Sequence, residues 1–175
     1  VILRYRNRSP RIDLREVDRA VAALELPEAI FKTCPWQPRE LVETGLRQWL
    51  RCCGAAMRDD QVIGMPSHAV DEAWHGLILC TQRYAAFCEA AYGRFLHHFP
   101  DGDNFSAKPA PQGISHGSMD DQLGRTVVAW SMVAGPGETC VLWDLDTEVG
   151  VEHPWGIGAR RVAAIEAELA RSPKS

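Results

Sequence analysis

Between Val70 and Pro100 the chain reads VDEAWHGLILCTQRYAAFCEAAYGRFLHHFP, which sets Asp71, His75, Cys88, His97 and His98 among apolar and aromatic residues at helical spacing. Imidazole, thiolate and carboxylate groups are the side chains that ligate divalent metals or move protons. His75 and Cys88, joined by His97 or His98, would form a zinc site. Zinc takes four tetrahedral ligands, so three from protein would leave a position for water. A metal-free alternative makes Cys88 a nucleophile, His75 its base and Asp71 the carboxylate that orients the imidazole. The segment holds no short-spaced ligand pair, so neither chemistry follows from spacing alone.

A third reading uses the same residues without a reaction. Asp71, Trp74, His75 and Tyr84 would hydrogen-bond across helices and knit the core together. Cys88, with Phe87 beside it and Tyr84 and Tyr92 one turn away, would be a small core residue, since free cysteine is among the most buried types. The His97–His98 pair near a helix end would sit favourably against its last carbonyls. Adjacent residues on a helix point about 100° apart, so one of the two at most joins a given site. This describes a helical accessory or interaction protein that meets a protein partner, and it is the reading the residues favour before geometry is known.

Whether the candidates can meet depends on the elements that carry them. On one straight helix, a rise of about 1.5 Å per residue would put His75 and His97 roughly 33 Å apart. A turn at Cys80–Thr81, with Thr81 as N-cap, would fold the Tyr84–Tyr92 helix back on the Val70–Leu79 helix, and Gly93 permits a further bend. Asp71 and His75 are four residues apart and share a helix face.

The rest of the chain reads as helix and loop. Asp13 caps a helix with Val17 and Val21 on its apolar face, and Pro27 opens a short one that Pro35 stops. Pro38 starts a longer helix with Leu41, Leu46, Trp49, Leu50 and Cys53 on one face, ending near Gly54 to Met57. Ser67 is the expected N-cap of the helix that carries Trp74 and His75. Prolines 100, 109 and 111 with glycines 102, 113 and 117 mark 100–117 as a long surface loop. Ser118 and Asp121 resemble a capping box ahead of Val127 and Trp130, and Gly135-Pro136-Gly137 ends that helix. Val141-Leu142-Trp143 is a short strand or a buried turn, and a last helix runs over about 158–171. The expectation is therefore an all-α, single-domain helical bundle over 1–175, with its motif core at 67–100 and at most one short strand.

Composition narrows the function classes. The chain has 175 residues, 46% of them hydrophobic, which suits one domain with a real core. A net charge of −4 argues against nucleic acid, which needs a clustered positive surface. Arg4, Arg6, Arg8, Arg11, Arg15 and Arg19 do gather early, but Asp13, Glu16 and Asp18 offset them and suggest a solvated face. No apolar run is long enough for a membrane span, and the amino end, which begins with Val, shows no basic–apolar leader. The 6 cysteines form no CxxC pair, so reduced thiols in a cytoplasmic protein are expected. Neither Gly135-Pro-Gly137 nor Gly156-Ile-Gly158 makes a phosphate loop, no serine sits in a GxSxG elbow, and Asp144 and Asp146 form no recognisable acid–base pair.

The order Val70-Asp71-x-x-Trp74-His75, then Tyr84-x-x-x-Cys88, then Gly93-Arg94-Phe95-Leu96-His97-His98-x-Pro100 resembles the glycine-rich-domain-containing-protein-like family. The resemblance is confined to this segment. It implies a break near Thr81, where relatives carry Pro or Asp-Thr, and it implies no particular activity. Many relatives have a second histidine where this chain has Leu77, so a site that needs that residue is incomplete here.

Overall fold

A computed structural model describes residues 11–32, 34–98 and 118–171. Within them lie α1 (Leu14–Ala23), a 3-10 turn (Glu28–Phe31), α2 (Arg39–Arg58), α3 (His68–Leu79), α4 (Thr81–Tyr92), α5 (Met119–Val133), α6 (Leu145–Glu148) and α7 (Ala159–Arg171). The fold is all-α, and no strand occurs among the described residues. Val141–Trp143 is irregular and turn structure, with Leu142 fully buried. No helix among the described residues is long and apolar enough to cross a membrane. The 100–117 loop and the arginines at 4, 6 and 8 lie outside the described residues.

The helices start where short polar side chains can accept from orphaned first-turn amides. Asp13 accepts from the Arg15 amide at 2.9 Å. Ser118 and Asp121 form a reciprocal capping box at the head of α5. Ser67 caps α3 through the Val70 amide. The hinge before α4 differs from expectation: Cys80, rather than Thr81, ends α3 and begins α4, because the Cys80 carbonyl already accepts the Tyr84 amide at 2.9 Å.

α2 is the central helix and touches α1, α3, α4, α5 and α6. Val42, Leu46, Trp49, Leu50, Cys52 and Cys53 along it are buried in one apolar cluster with Val17, Ile30, Val70, Trp74, Tyr84 and Trp130. A smaller cluster of Val127, Ile157 and Val162 seats α7 on α5. Arg51 of α2 binds Asp18 at 2.9 Å and Glu138 at 2.6 Å, and also reaches the Val133 carbonyl, so one guanidinium ties α1 and the end of α5 to α2. Burial pushes the Glu138 carboxyl up, but Arg51 and the Gly135 amide outweigh it and hold the group below its ordinary value of 4.5. A carboxylate lowered in this way contributes stability that is complete above the unfolded value and is lost as pH falls through the folded one. Urea midpoints measured between pH 7 and pH 3 are expected to fall less steeply below about pH 4.5 in Glu138→Gln than in the parent.

α3 is wedged against the 3-10 turn at a glycine. A Cβ on Gly76 would lie 2.6 Å from the Ile30 carbonyl oxygen and 2.8 Å from its Cα, both backbone atoms with little freedom to move. Gly76→Ala is therefore expected to destabilise the fold by about 1–3 kcal/mol, as overpacking does. The opposite sign, a gain of up to about 1 kcal/mol, is what an unhindered helix position would give. Chemical unfolding of the single variant decides between them.

Candidate metal centre

Two elements bring the polar residues of α3 and the tail of α4 together. α4 ends at Gly93, whose φ of 65° is the left-handed conformation that suits glycine, and its amide donates to the Glu89 carbonyl at 3.0 Å. The chain then leaves the helix, and Phe95–His98 runs without helix or strand back to α3. Its course is set by Tyr84, which accepts from the Trp74 indole N–H at 3.2 Å and donates to the Leu96 carbonyl at 2.8 Å.

His98 thereby lies over the middle of α3. Its Nε2 is 3.0 Å from Asp71 Oδ1, and its ring stands 4.7 Å from that of Trp74 and 4.4 Å from that of His75. His75 Nδ1 lies 2.7 Å from the Asp71 main-chain carbonyl and 3.3 Å from Oδ2. A carbonyl only accepts, so in this contact His75 Nδ1 is the donor. Asp71, His75 and His98 each offer a donor atom, and the three atoms lie within 4.8 Å of one another. Zinc–ligand bonds of about 2.0–2.2 Å at tetrahedral angles place neighbouring donors about 3.3 Å apart, so the widest separation in this group would close by up to about 1.5 Å on an ion. The side chains of Asp71 and His98 are 16% exposed and that of His75 is 49% exposed, so His75 has the most room to move.

This geometric group differs from the ligand set expected from spacing. Asp71 is a full member, where sequence spacing suggested a supporting role behind His75. Of the adjacent histidines His98 enters the group, and His97 lies outside it with its ring 5.0 Å from Phe95. Cys88 is also outside it. The thiol is buried among Tyr84 and the Leu96 amide, and burial pushes it above the ordinary thiol range despite those two contacts. A nucleophilic cysteine needs partial exposure and a lowered value, so the environment of Cys88 suits a small core residue. The Trp74–Tyr84 hydrogen bond across α3 and α4 matches the expected knitting of the core.

Sequence reasoning missed two other polar features of α3. His68 stands between the rings of Trp36 and Trp155, at 6.1 and 5.1 Å, while Trp36 donates to Glu72 at 2.6 Å. The i,i+4 pair His68–Glu72 was a readable signal. Asp146, passed over in the sequence, is fully buried and accepts from Ser67 Oγ at 2.7 Å and from the amides of His68, Ala69 and Trp155 at 2.8, 3.1 and 2.9 Å. Together with Ser67 on the Val70 amide, it satisfies the first-turn donors of the helix that carries Asp71 and His75.

Comparison with known proteins rests on one match. Residues 28–116, just over half of the chain, match the UCP032817-like family. The chain belongs to this family. The UCP032817-like stretch contains α2, α3 and α4, and with them Asp71, Trp74, His75, Tyr84 and His98. No curated protein and no solved structure matches the chain.

Proposed function

We propose that this UCP032817-like protein binds one divalent metal ion, zinc in the first instance, through Asp71, His75 and His98. The observation that carries the reading is the convergence of these three donors from two separate segments, α3 and the irregular run after α4. Two imidazoles and a carboxylate suit zinc, and the same trio suits ferrous iron. Three protein ligands leave at least one position for water on the half-exposed His75 side. That arrangement belongs to catalytic zinc sites, where the ion acidifies its water or polarises a substrate carbonyl. The resemblance to the glycine-rich-domain-containing-protein-like family is part of the same proposal, since the motif residues that define it include all three donors.

A second reading is favoured by a specific observation: Asp71 already pairs with both imidazoles directly. On that reading the group is a polar clasp between α3 and the run after α4, in an accessory protein that acts through a protein partner. Metal loading separates the two. After exposure to Zn²⁺ and exhaustive dialysis, elemental analysis is expected to find one equivalent per chain, and none above background in His98→Ala. A wild-type protein that retains no metal, and whose melting temperature is indifferent to Zn²⁺ and to chelator, overturns the proposal in favour of the clasp.

A further inference from the structure

We infer that Tyr84 is the positioning residue of this metal site, holding the segment that carries His98 at the place where its imidazole meets Asp71. The inference rests on the metal-binding reading above. Tyr84 is fully buried in α4, yet its hydroxyl uses both of its functions, accepting from Trp74 of α3 at 3.2 Å and donating to the carbonyl of Leu96 at 2.8 Å. Leu96 is two residues before His98, in a run with no helix or strand to fix its path. The aromatic ring of Tyr84 also meets Phe95 edge-on at 5.2 Å, so the same side chain grips the run at consecutive residues.

The two partners of the hydroxyl are the two halves of the site. Trp74 lies between Asp71 and His75 in sequence and faces the His98 ring at 4.7 Å, so its indole forms an inner wall. Leu96 carries the peptide that delivers His98. One buried hydroxyl therefore sets the distance between the helix that gives two ligands and the run that gives the third. Ligand constellations work when held to within about 0.5 Å, and a two-residue tether can swing by several times that once its anchor is gone. Burial pushes the phenol well above its ordinary value, which keeps the proton on the oxygen to donate to Leu96.

A matched control exists on the same helix. Tyr92 is also buried, and its hydroxyl donates to the Leu50 carbonyl at 2.8 Å, away from the three donors. Zn²⁺ affinity is measured by competition with a chromophoric chelator, and the visible spectrum is recorded with Co²⁺, for wild type, Tyr84→Phe, Tyr92→Phe and His98→Ala. Tyr84→Phe is expected to weaken Zn²⁺ binding by about 10- to 100-fold, the usual cost of removing a group that orients a ligand. Its Co²⁺ spectrum is expected to move toward that of His98→Ala, while Tyr92→Phe binds like wild type and keeps the parent spectrum. Equal affinities in the two tyrosine variants, or a parent Co²⁺ spectrum in Tyr84→Phe, overturn the inference and leave the metal site standing. A wild-type protein that binds no Zn²⁺ overturns the metal reading itself, a result visible before any variant is made. If Tyr84→Phe does not fold, Phe95→Leu removes the edge-on ring contact by which Tyr84 grips the same run and carries the same expectations.

Discussion

Asp146→Ala is expected to cost about 3–5 kcal/mol of stability, because it leaves several buried donors without an acceptor at about 1–3 kcal/mol each. For a domain of this size the melting temperature should then fall on the order of 10 °C. The carboxylate accepts from one hydroxyl and three main-chain amides and is shielded from solvent. Alanine leaves those donors without an acceptor, and two of them are first-turn amides of α3, which the helix itself has no means of satisfying. The Ser67 hydroxyl can rotate to another partner, whereas the amides cannot. Asp146→Asn keeps the shape but replaces one acceptor oxygen by an NH₂ that points at N–H groups, so it should recover only part of the loss. Thermal and urea unfolding of the two variants measures this directly. A cost below about 1 kcal/mol for Asp146→Ala would show that the cap is dispensable.

The second large effect concerns Asp71, the residue shared by both imidazoles. Asp71→Asn is expected to lower Zn²⁺ affinity by more than about 100-fold, beyond the cost of losing a mere outer-shell partner. The amide lacks the negative charge that makes a carboxylate a strong ligand for a divalent ion, although it fills the same space and can still hydrogen-bond to His98. With metal at 100 times its Kd, wild type should gain about 2.7 kcal/mol of stability by mass action, and the variant none at the same concentration. The two readings of the site diverge in this measurement. A clasp without metal gives wild type no thermal shift on Zn²⁺ addition, whatever the variant does. Isothermal calorimetry and thermal melts with and without Zn²⁺ supply both numbers.

Much of the fold is legible in the sequence because its helix ends are written in local chemistry. Asp13, Ser67 and the Ser118–Asp121 pair cap the helices they were expected to cap, since an N-cap needs only one side chain and the next few amides. Gly93 likewise announces its bend through the one conformation glycine adopts without strain. The break between α3 and α4 falls where expected, while its capping residue does not, because the Cys80 carbonyl starts the new helix without help from a side chain.

The candidate site is legible in its segment and not in its membership. Helical spacing pairs Asp71 with His75, but it cannot say which of His97 and His98 faces α3. That choice is made by the Tyr84 hydroxyl on Leu96 and by the Trp74 ring, contacts between residues 10 or more apart in sequence. Spacing leaves Cys88 open to a ligand or a small core role, and it faces the core side of α4 and is buried there. Asp146 was illegible for a plainer reason. Three of its four partners are 77 to 79 residues away at the start of α3, and nothing in the surrounding Asp-Leu-Asp signals an acceptor for another helix.

The position of that carboxylate also bears on how the chain can be cut. The UCP032817-like match ends at residue 116, whereas the acceptor for the first amides of α3 is at residue 146 and a further partner of the same carboxylate is at residue 155. The family stretch thus borrows a part from the region that follows it, as an arch borrows a keystone cut from a different quarry. A fragment ending near residue 116 would keep every proposed ligand and still start its ligand-bearing helix on open amides. The boundary of sequence kinship and the boundary of the cooperative unit do not coincide in this protein.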